Sequence, residues 1–586
     1  MCGITGVLTA SLPPEEKLRA MTDALRHRGP DDDGLWSDPA VGVALGHRRL
    51  AILDLSPAGH QPMASACGRY VIAFNGEIYN HLELRESLAE GGRVGAWSGH
   101  SDTETLLACF VAWGVKETLV RSVGMFAIAL WDRAERRLHL ARDRFGEKPL
   151  YYGWTRGAFI FGSELAALRQ YPGFEREVDR DVLSLYLQFC YVPAPYAIYR
   201  HTYKLEAGCL LTLTPKDATE SVSPAPFAPF HRATFVLERF WSLEEAVRRG
   251  AKDPIRDERE AVDQLEAALV RSVKLQSIAD VPLGAFLSGG IDSSTIAALM
   301  QCQGGRPVRT FTIGFNEAGF NEAVHAKAVA KHLGTEHTEL YVTSGEAQAV
   351  IPRLPQLYSE PFADASQIPT HLVAQMARGH VTVALSGDAG DELFGGYNRY
   401  FWGKRIWNRI GWMPRPARRA LGGLIRQVPV GAWDSLGRSL PGARRIARLG
   451  DKAHKLASRL KTVDGVEGLY RSLVTEWPAD ASAVPGAVRL PTRLDDAAAV
   501  KGITEPEHRM MIWDTLTYLP DDILHKVDRA AMGVSLETRV PFLDHRVAEL
   551  AWRFPLAMKL RDGQGKWVLR EVLYRHVPRA LIDRPK

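Results

Sequence analysis

The 586-residue chain predicts an α/β protein of two domains, the first built on two packed sheets flanked by helices, the second on a mainly parallel sheet. Three observations carry this. The length exceeds one ordinary core. Before residue 215, short apolar runs alternate with turns; beyond Trp241, helical periodicity alternates with short β-rich runs. A composition of 46% hydrophobic and 24% charged residues is that of a soluble globular protein.

In the front half, residues 70–74, 125–131, 138–141, 150–153 and 159–161 read as strands, and 15–25, 81–90 and 103–112 as helices. Cys2 lies where removal of the initiator methionine would expose it. One residue would then supply both a thiol and an α-amino base of pKa roughly 7.7 to 8.0. Residues 215–230, rich in proline, serine and alanine, read as a surface excursion, and 216–240 as a linker between domains of 2–215 and 241–586.

In the back half, helix 258–277 leads to strand 281–287, followed by strand 308–315, helix 321–333 and strand 337–342. Strand 281–287 runs into Ser288-Gly289-Gly290-Ile291-Asp292-Ser293-Ser294 and then a helix. The glycines let the backbone turn sharply, and the serines suit a helix N-terminus facing an anion, so the loop reads as a phosphate site. No Gly-Lys-Ser/Thr follows, which sets it apart from a Walker loop. Asp292 would repel a phosphate unless a hard cation lay between them, and so implies Mg²⁺. A second apolar strand, 381–385, runs into Ser386-Gly387-Asp388-Ala389-Gly390-Asp391-Glu392.

These two loops resemble those of the PP-loop ATP pyrophosphatases, an adenine nucleotide α-hydrolase-like fold, which cleave ATP between its α- and β-phosphates. The resemblance implies Asp292 and Asp391 as the metal ligands. The front half, through Arg26-His27-Arg28-Gly29-Pro30-Asp31, His47-Arg48-Arg49, Asn75-Gly76-Glu77 and Ser101-Asp102, resembles the class II glutamine amidotransferases, whose αββα sandwich is that of the Ntn hydrolases. By that resemblance Cys2 is the nucleophile, and Asn75 and Gly76 form the oxyanion hole. Arg49 holds the glutamine α-carboxylate. Asp102 and Glu77 take its α-ammonium, and Leu50, Ala51, Ile52 and Leu53 line the site.

With Leu524-His525-Lys526-Val527-Asp528-Arg529, Leu536 to His545 and Gly565-Lys566-Trp567, nearly the whole chain resembles the glutamine-hydrolysing asparagine synthetases. That implies ATP held by Ser288 to Ser294 and Lys566 at its phosphates and by Phe286, Leu287, Ile313, Ser386 and Gly387 at its adenosine end. It also implies catalytic roles for Lys566 and Asp388 and an internal passage for ammonia. The chain stops at Arg584-Pro585-Lys586, short of the tail usual in the family.

The acceptor implied is L-aspartate, but Asp364 stands where aspartate-specific relatives carry arginine, and Asp388 where some carry glutamate. Amidation of a sugar uronate in surface polysaccharide is the alternative. A lactam-forming ligase would not need Cys2, Arg49, Asn75 and Asp102, and a non-catalytic homologue would not need Asp292.

Six scattered cysteines form no metal or disulfide pattern, and with no secretory signal they point to the cytoplasm. No apolar run approaches the roughly 20 residues of a membrane span. A net charge of +5 argues against nucleic acid. Basic residues nevertheless crowd the stretch Lys404 to Lys461, which reads as solvated helix faces or a site for an anionic substrate, membrane surface or partner. A homodimer is compatible with the sequence.

Overall fold

The computed structural model describes residues 2–92, 96–315, 322–439, 448–477 and 483–583. Met1, residue 321 and Arg584 to Lys586, named above, lie outside these, as do residues 440–447 of the basic stretch.

Two antiparallel sheets form the first domain. The six-stranded sheet runs Thr202–Lys204, Tyr151–Thr155, Ala158–Gly162, Gly3–Thr9, Val43–Arg49, Asp32–Asp38. The seven-stranded sheet has Met63–Ala64, Tyr70–Ile78, Gly124–Asp132, Arg137–Arg142 and Cys209–Leu213 in that order, followed by Phe235–Arg239 and Phe230–Arg232. Ile4, Leu8 and Leu45 of one sheet meet Val71, Ala73 and Leu140 of the other in a common core. Helices cover the outer faces. Asp102–Trp113 packs on the seven-stranded sheet; it begins where the Ser101 hydroxyl accepts from Glu104 N and ends at Gly114, whose φ of +79° breaks it. Glu15–Asp23 lies on the other sheet. This is the expected αββα layering.

The expected linker is corrected. Ala218, Val222 and Ala228 are buried in the sandwich core, and residues 235–239 pair with Cys209–Leu213 as a strand of the sheet. The alternation that identifies this strand is short: Phe235 and Leu237 are buried while Val236 and Glu238 are not. The neighbouring prolines obscured it.

The second domain has a five-stranded, wholly parallel sheet ordered Glu336–Val342, Arg309–Phe315, Leu283–Phe286, Val383–Leu385, Glu537–Arg539. Leu283–Phe286 and Val383–Leu385 are neighbours, so the two glycine-rich loops leave the sheet side by side at its carboxyl edge. The helices Asn398–Ile410, Arg415–Gln427, Val430–Ser439, Leu449–Thr462 and Val466–Leu473 form an extension. A π-helix, Asp514–Ile523, leads into the helix Leu524–Met532. One buried apolar cluster crosses between the domains, joining Leu50, Ile52, Met125 and Phe145 to Leu385, Ala389, Val540 and Phe542.

Candidate active sites

Cys2 precedes the strand Gly3–Thr9, 8% exposed, and its backbone N donates to Asn75 Oδ1 at 2.9 Å. Asn75 is completely buried in the strand Tyr70–Ile78, and its Nδ2 has no hydrogen-bond partner. Gly76 is next. A Cβ there would stand 2.1 Å from the Met125 carbonyl oxygen, so the close strand pairing admits only glycine. Burial pushes the Cys2 thiol up, against the pull of Arg49, so the resting group is a thiol.

Around it, Arg49 donates to the carbonyls of Ser56, at 3.2 Å, and of Asp54. Its fork faces the turn that follows Leu53. Asp102 Oδ2 accepts from Ile78 N at 2.8 Å, and burial raises its carboxyl to about 6. Leu50 and Ile52 are buried with their carbonyls engaged, Leu50 toward Cys2 Sγ and Ile52 by Asp280 N of the second domain; Ala51 N donates to Asp31. Glu77 faces the second domain, 3.4 Å from Arg539.

The paired loops bound a cavity of about 530 Å³, lined by Phe286, Leu287, Ser288, Gly290, Asp292, Ser293, Ile313, Ser386, Gly387, Asp388 and Asp391. Glycine permits the contact between the loops: a Cβ on Gly387 would lie 2.6 Å from Ser293 N. Three expected residues are absent from the wall, Lys566 among them. Ser294 is wholly buried in the helix Ile291–Gln303. Gly289, at φ +70°, packs on the helix Ala323–Leu333, where a Cβ would lie 2.7 Å from Ala326 N. One step of about 100° beyond Ser293, the Ser294 hydroxyl is turned into the protein interior, whereas Asp292 and Ser293 keep to the cavity side.

Lys566 ties the loops together, its ammonium touching Asp292 Oδ2 and lying 2.5 Å from Asp391 Oδ1. Against the cost of burial, those carboxylates hold the ammonium charged. Its backbone φ of +63° is unusual for a residue with a side chain and occurs here at the point of contact. Asp292 Oδ1 is buried without a partner. Two convergent carboxylates with an orphaned oxygen fit Mg²⁺, which binds through one or two carboxylates plus phosphate oxygens. Among the described residues no group of three or more His, Cys, Asp or Glu forms a cage of its own.

Also in the cavity wall, Lys526 Nζ lies 2.7 Å from Asp364 Oδ2. Burial opposes but Lys526 outweighs it, holding the Asp364 carboxyl below the usual range. Ser386 Oγ donates to Asp388 at 2.5 Å, and Tyr397 OH donates to Glu392 at 2.8 Å. Burial beside Asp391 pushes Glu392 up to about 8. Lys526, Glu392 and Tyr397 are not singled out by the sequence, although Lys526 and Glu392 lie inside quoted motifs.

A family model described as asparagine synthase matches residues 264–586. The chain belongs to the asparagine synthase family. A model described as glutamine amidotransferase domain matches residues 1–223 of this synthase. It is 36% identical to a Mycobacterium tuberculosis protein provisionally named asparagine synthetase (glutamine-hydrolysing), over 100% of this chain and 87% of the relative. Asparagine synthetase (glutamine-hydrolysing) 1 of Bacillus subtilis is 33% identical over 100% of this chain and 86% of its own. The amidase chry2 of Gibberella zeae is 26% identical over 98% and 86%.

Proposed function

We propose that this chain hydrolyses glutamine at Cys2 and delivers the ammonia to a carboxylate activated by ATP at the paired loops. Asn75 carries this reading. A buried amide donor without a partner costs stability, and the oxyanion that forms when Cys2 attacks glutamine is the partner it lacks. With Met1 removed, the Cys2 α-amino group takes the thiol proton and gives it to the departing ammonia. Gly76 N–H is the second oxyanion donor. Arg49 exchanges its turn carbonyls for the glutamine α-carboxylate, and Asp102, ionised at neutral pH, accepts from the α-ammonium.

At the second site the acceptor carboxylate attacks the α-phosphorus of ATP and pyrophosphate leaves toward Ser288 to Ser293 and Lys566. Ammonia then attacks the acyl carbon of the adenylate and AMP departs. Asp292 and Asp391 would hold Mg²⁺, which when bound neutralises phosphate oxygens. The apolar cluster between the domains supports an ammonia path that excludes the water which would protonate it.

L-Aspartate is the acceptor that family membership favours. A specific observation favours a second reading. Aspartate brings an additional carboxylate that needs a cation, and Lys526 at the acceptor end of the cavity is already paired with Asp364. An acceptor with one carboxylate and several hydroxyls, such as a sugar uronate, needs no such cation. The test is AMP and pyrophosphate release with glutamine and Mg²⁺-ATP across a panel containing L-aspartate and uronic-acid sugars. Aspartate-dependent AMP with asparagine as product selects the first reading, and turnover confined to uronates selects the second. AMP release that is independent of every carboxylate would overturn both.

A further inference from the structure

The helical extension is built unlike the rest of the surface. Between Arg399 and Lys461 the sequence holds sixteen Lys and Arg against two Asp, although the whole chain is only +5. Among the described residues eighteen large apolar side chains are exposed, and eight of them lie between Trp402 and Leu456. Charge and exposed apolar area are thus concentrated in one element.

Helical spacing places them on common faces of Asn398–Ile410 and Leu449–Thr462, and on opposite sides of Arg415–Gln427. On Asn398–Ile410, Trp402, Arg405 and Arg409 are exposed at positions i, i+3 and i+7. Trp412 follows, 76% exposed, its indole N–H donating to the Arg409 carbonyl at 2.8 Å. On Arg415–Gln427, Ala417, Ala420, Leu421 and Leu424 form an exposed stripe at i, i+3, i+4 and i+7, with Leu424 62% exposed. Arg419 and Arg426 project from the opposite flank of that exposed arc. On Leu449–Thr462, Lys452, Lys455 and Leu456 repeat the pattern.

A face held only for solubility would not expose tryptophan and leucine, and a face for a polyanion such as RNA would not need the leucines. Arginine and lysine beside exposed tryptophan and leucine match a bilayer interface, where cations meet anionic headgroups and apolar tips enter the acyl boundary. No helix of the described residues is long and apolar enough to cross a membrane, so contact here would be peripheral.

We infer that the helices between Asn398 and Thr462 dock this protein on an anionic lipid surface. This is independent of which carboxylate is amidated. The test is sedimentation of the full chain with vesicles of equal parts phosphatidylglycerol and phosphatidylcholine, and with phosphatidylcholine alone. Binding is expected only to the anionic vesicles. It should weaken as the screening length falls from roughly 10 Å at 0.1 M to 3 Å at 1 M salt. Arg409→Glu with Arg419→Glu, and separately Trp412→Ser with Leu424→Glu, should each reduce the bound fraction at least about tenfold while glutaminase activity is unchanged, as expected when charge and apolar insertion act together. No binding to either vesicle, equal binding to both, or binding unaffected by either pair overturns the inference. So does a dimer in solution that the Trp412 and Leu424 changes dissociate, since a second copy would then cover the face.

Discussion

Arg28 and Asp528, 500 residues apart in sequence, form a forked ion pair at 2.8 and 3.0 Å across the two domains. Arg28 Nε donates to the Cys2 carbonyl oxygen at 3.0 Å, and Nη1 also reaches Glu164 at 3.0 Å. The residue that positions the nucleophile's backbone is therefore fastened to the synthetase half. Glu164 in turn pairs with Arg529, the neighbour of Asp528, at 2.5 Å.

Removing one partner of this buried pair should be costly. Arg28→Ala or Asp528→Asn breaks the fork while Glu164 stays beside Arg28 and Lys148 lies 3.9 Å from Asp528, so a loss at the lower end of the about 3–5 kcal/mol of such deletions is expected. Thermal unfolding with glutaminase assays checks this. Arg28→Lys should restore part of the stability but not the geometry at Cys2, because an ammonium cannot make the forked contact and reach the carbonyl together. Melting temperatures unchanged in all three variants would show the pair to be incidental.

Asn75→Ala removes the unpaired donor and the acceptor for Cys2 N. Glutamine hydrolysis should fall by about 10²–10³ in kcat, as for other single oxyanion donors. Synthesis driven by added ammonium salt should persist, because the second site does not use Asn75. Comparing the two assays on one preparation separates loss of chemistry from loss of fold.

Arg539 should govern coupling between the sites. Its side chain contacts Glu77 beside the glutamine pocket and Glu537, while its backbone carbonyl accepts from Ser386 N at 2.8 Å, at the start of the acidic loop. Arg539→Lys keeps the charge but loses the fork. The expected outcome is a rise in glutamine consumed per AMP formed, with each half-reaction still measurable. A ratio equal to that of the unaltered protein would count against this role.

Lys559 gives the protein a pH signature. Its ammonium is wholly buried over the Trp552 ring at 4.1 Å with no hydrogen-bond partner, and burial lowers it to about 7. The unfolded chain, with a lysine pKa near 10.4, therefore binds more protons than the folded one between about pH 7 and 10.4, and over that window this group makes stability rise with pH. Lys559→Met should raise the melting temperature at pH 7 and flatten the slope. Denaturant unfolding at several pH values reads both, and an identical slope in the variant would contradict it.

The sequence by itself pointed to most of the residues that gather at the two candidate sites, because each is built around contiguous chain. A loop that cradles a phosphate does so with successive backbone groups, so Ser288 to Ser293 and Ser386 to Asp391 were readable as strings, as were Cys2 and Asn75-Gly76. Many of the strands and helices around them were readable as periodicity, their ends falling within a few residues of those observed, but the strands Gly3–Thr9, Asp32–Asp38 and Val43–Arg49 were not. Tertiary structure alone decided what depends on separation: Arg28 against Asp528, Glu77 against Arg539, and Lys526 against Asp364. No local pattern encodes these pairings, because an ion pair needs only two side chains brought near, and each motif reads the same whether or not its partner exists. The same reason hid the strand at 235–239, whose place in the sheet is set by its neighbour at Cys209–Leu213 rather than by its own proline-bordered sequence. The string likewise does not show that Ser294 is wholly buried while its neighbour Ser293 lines the cavity.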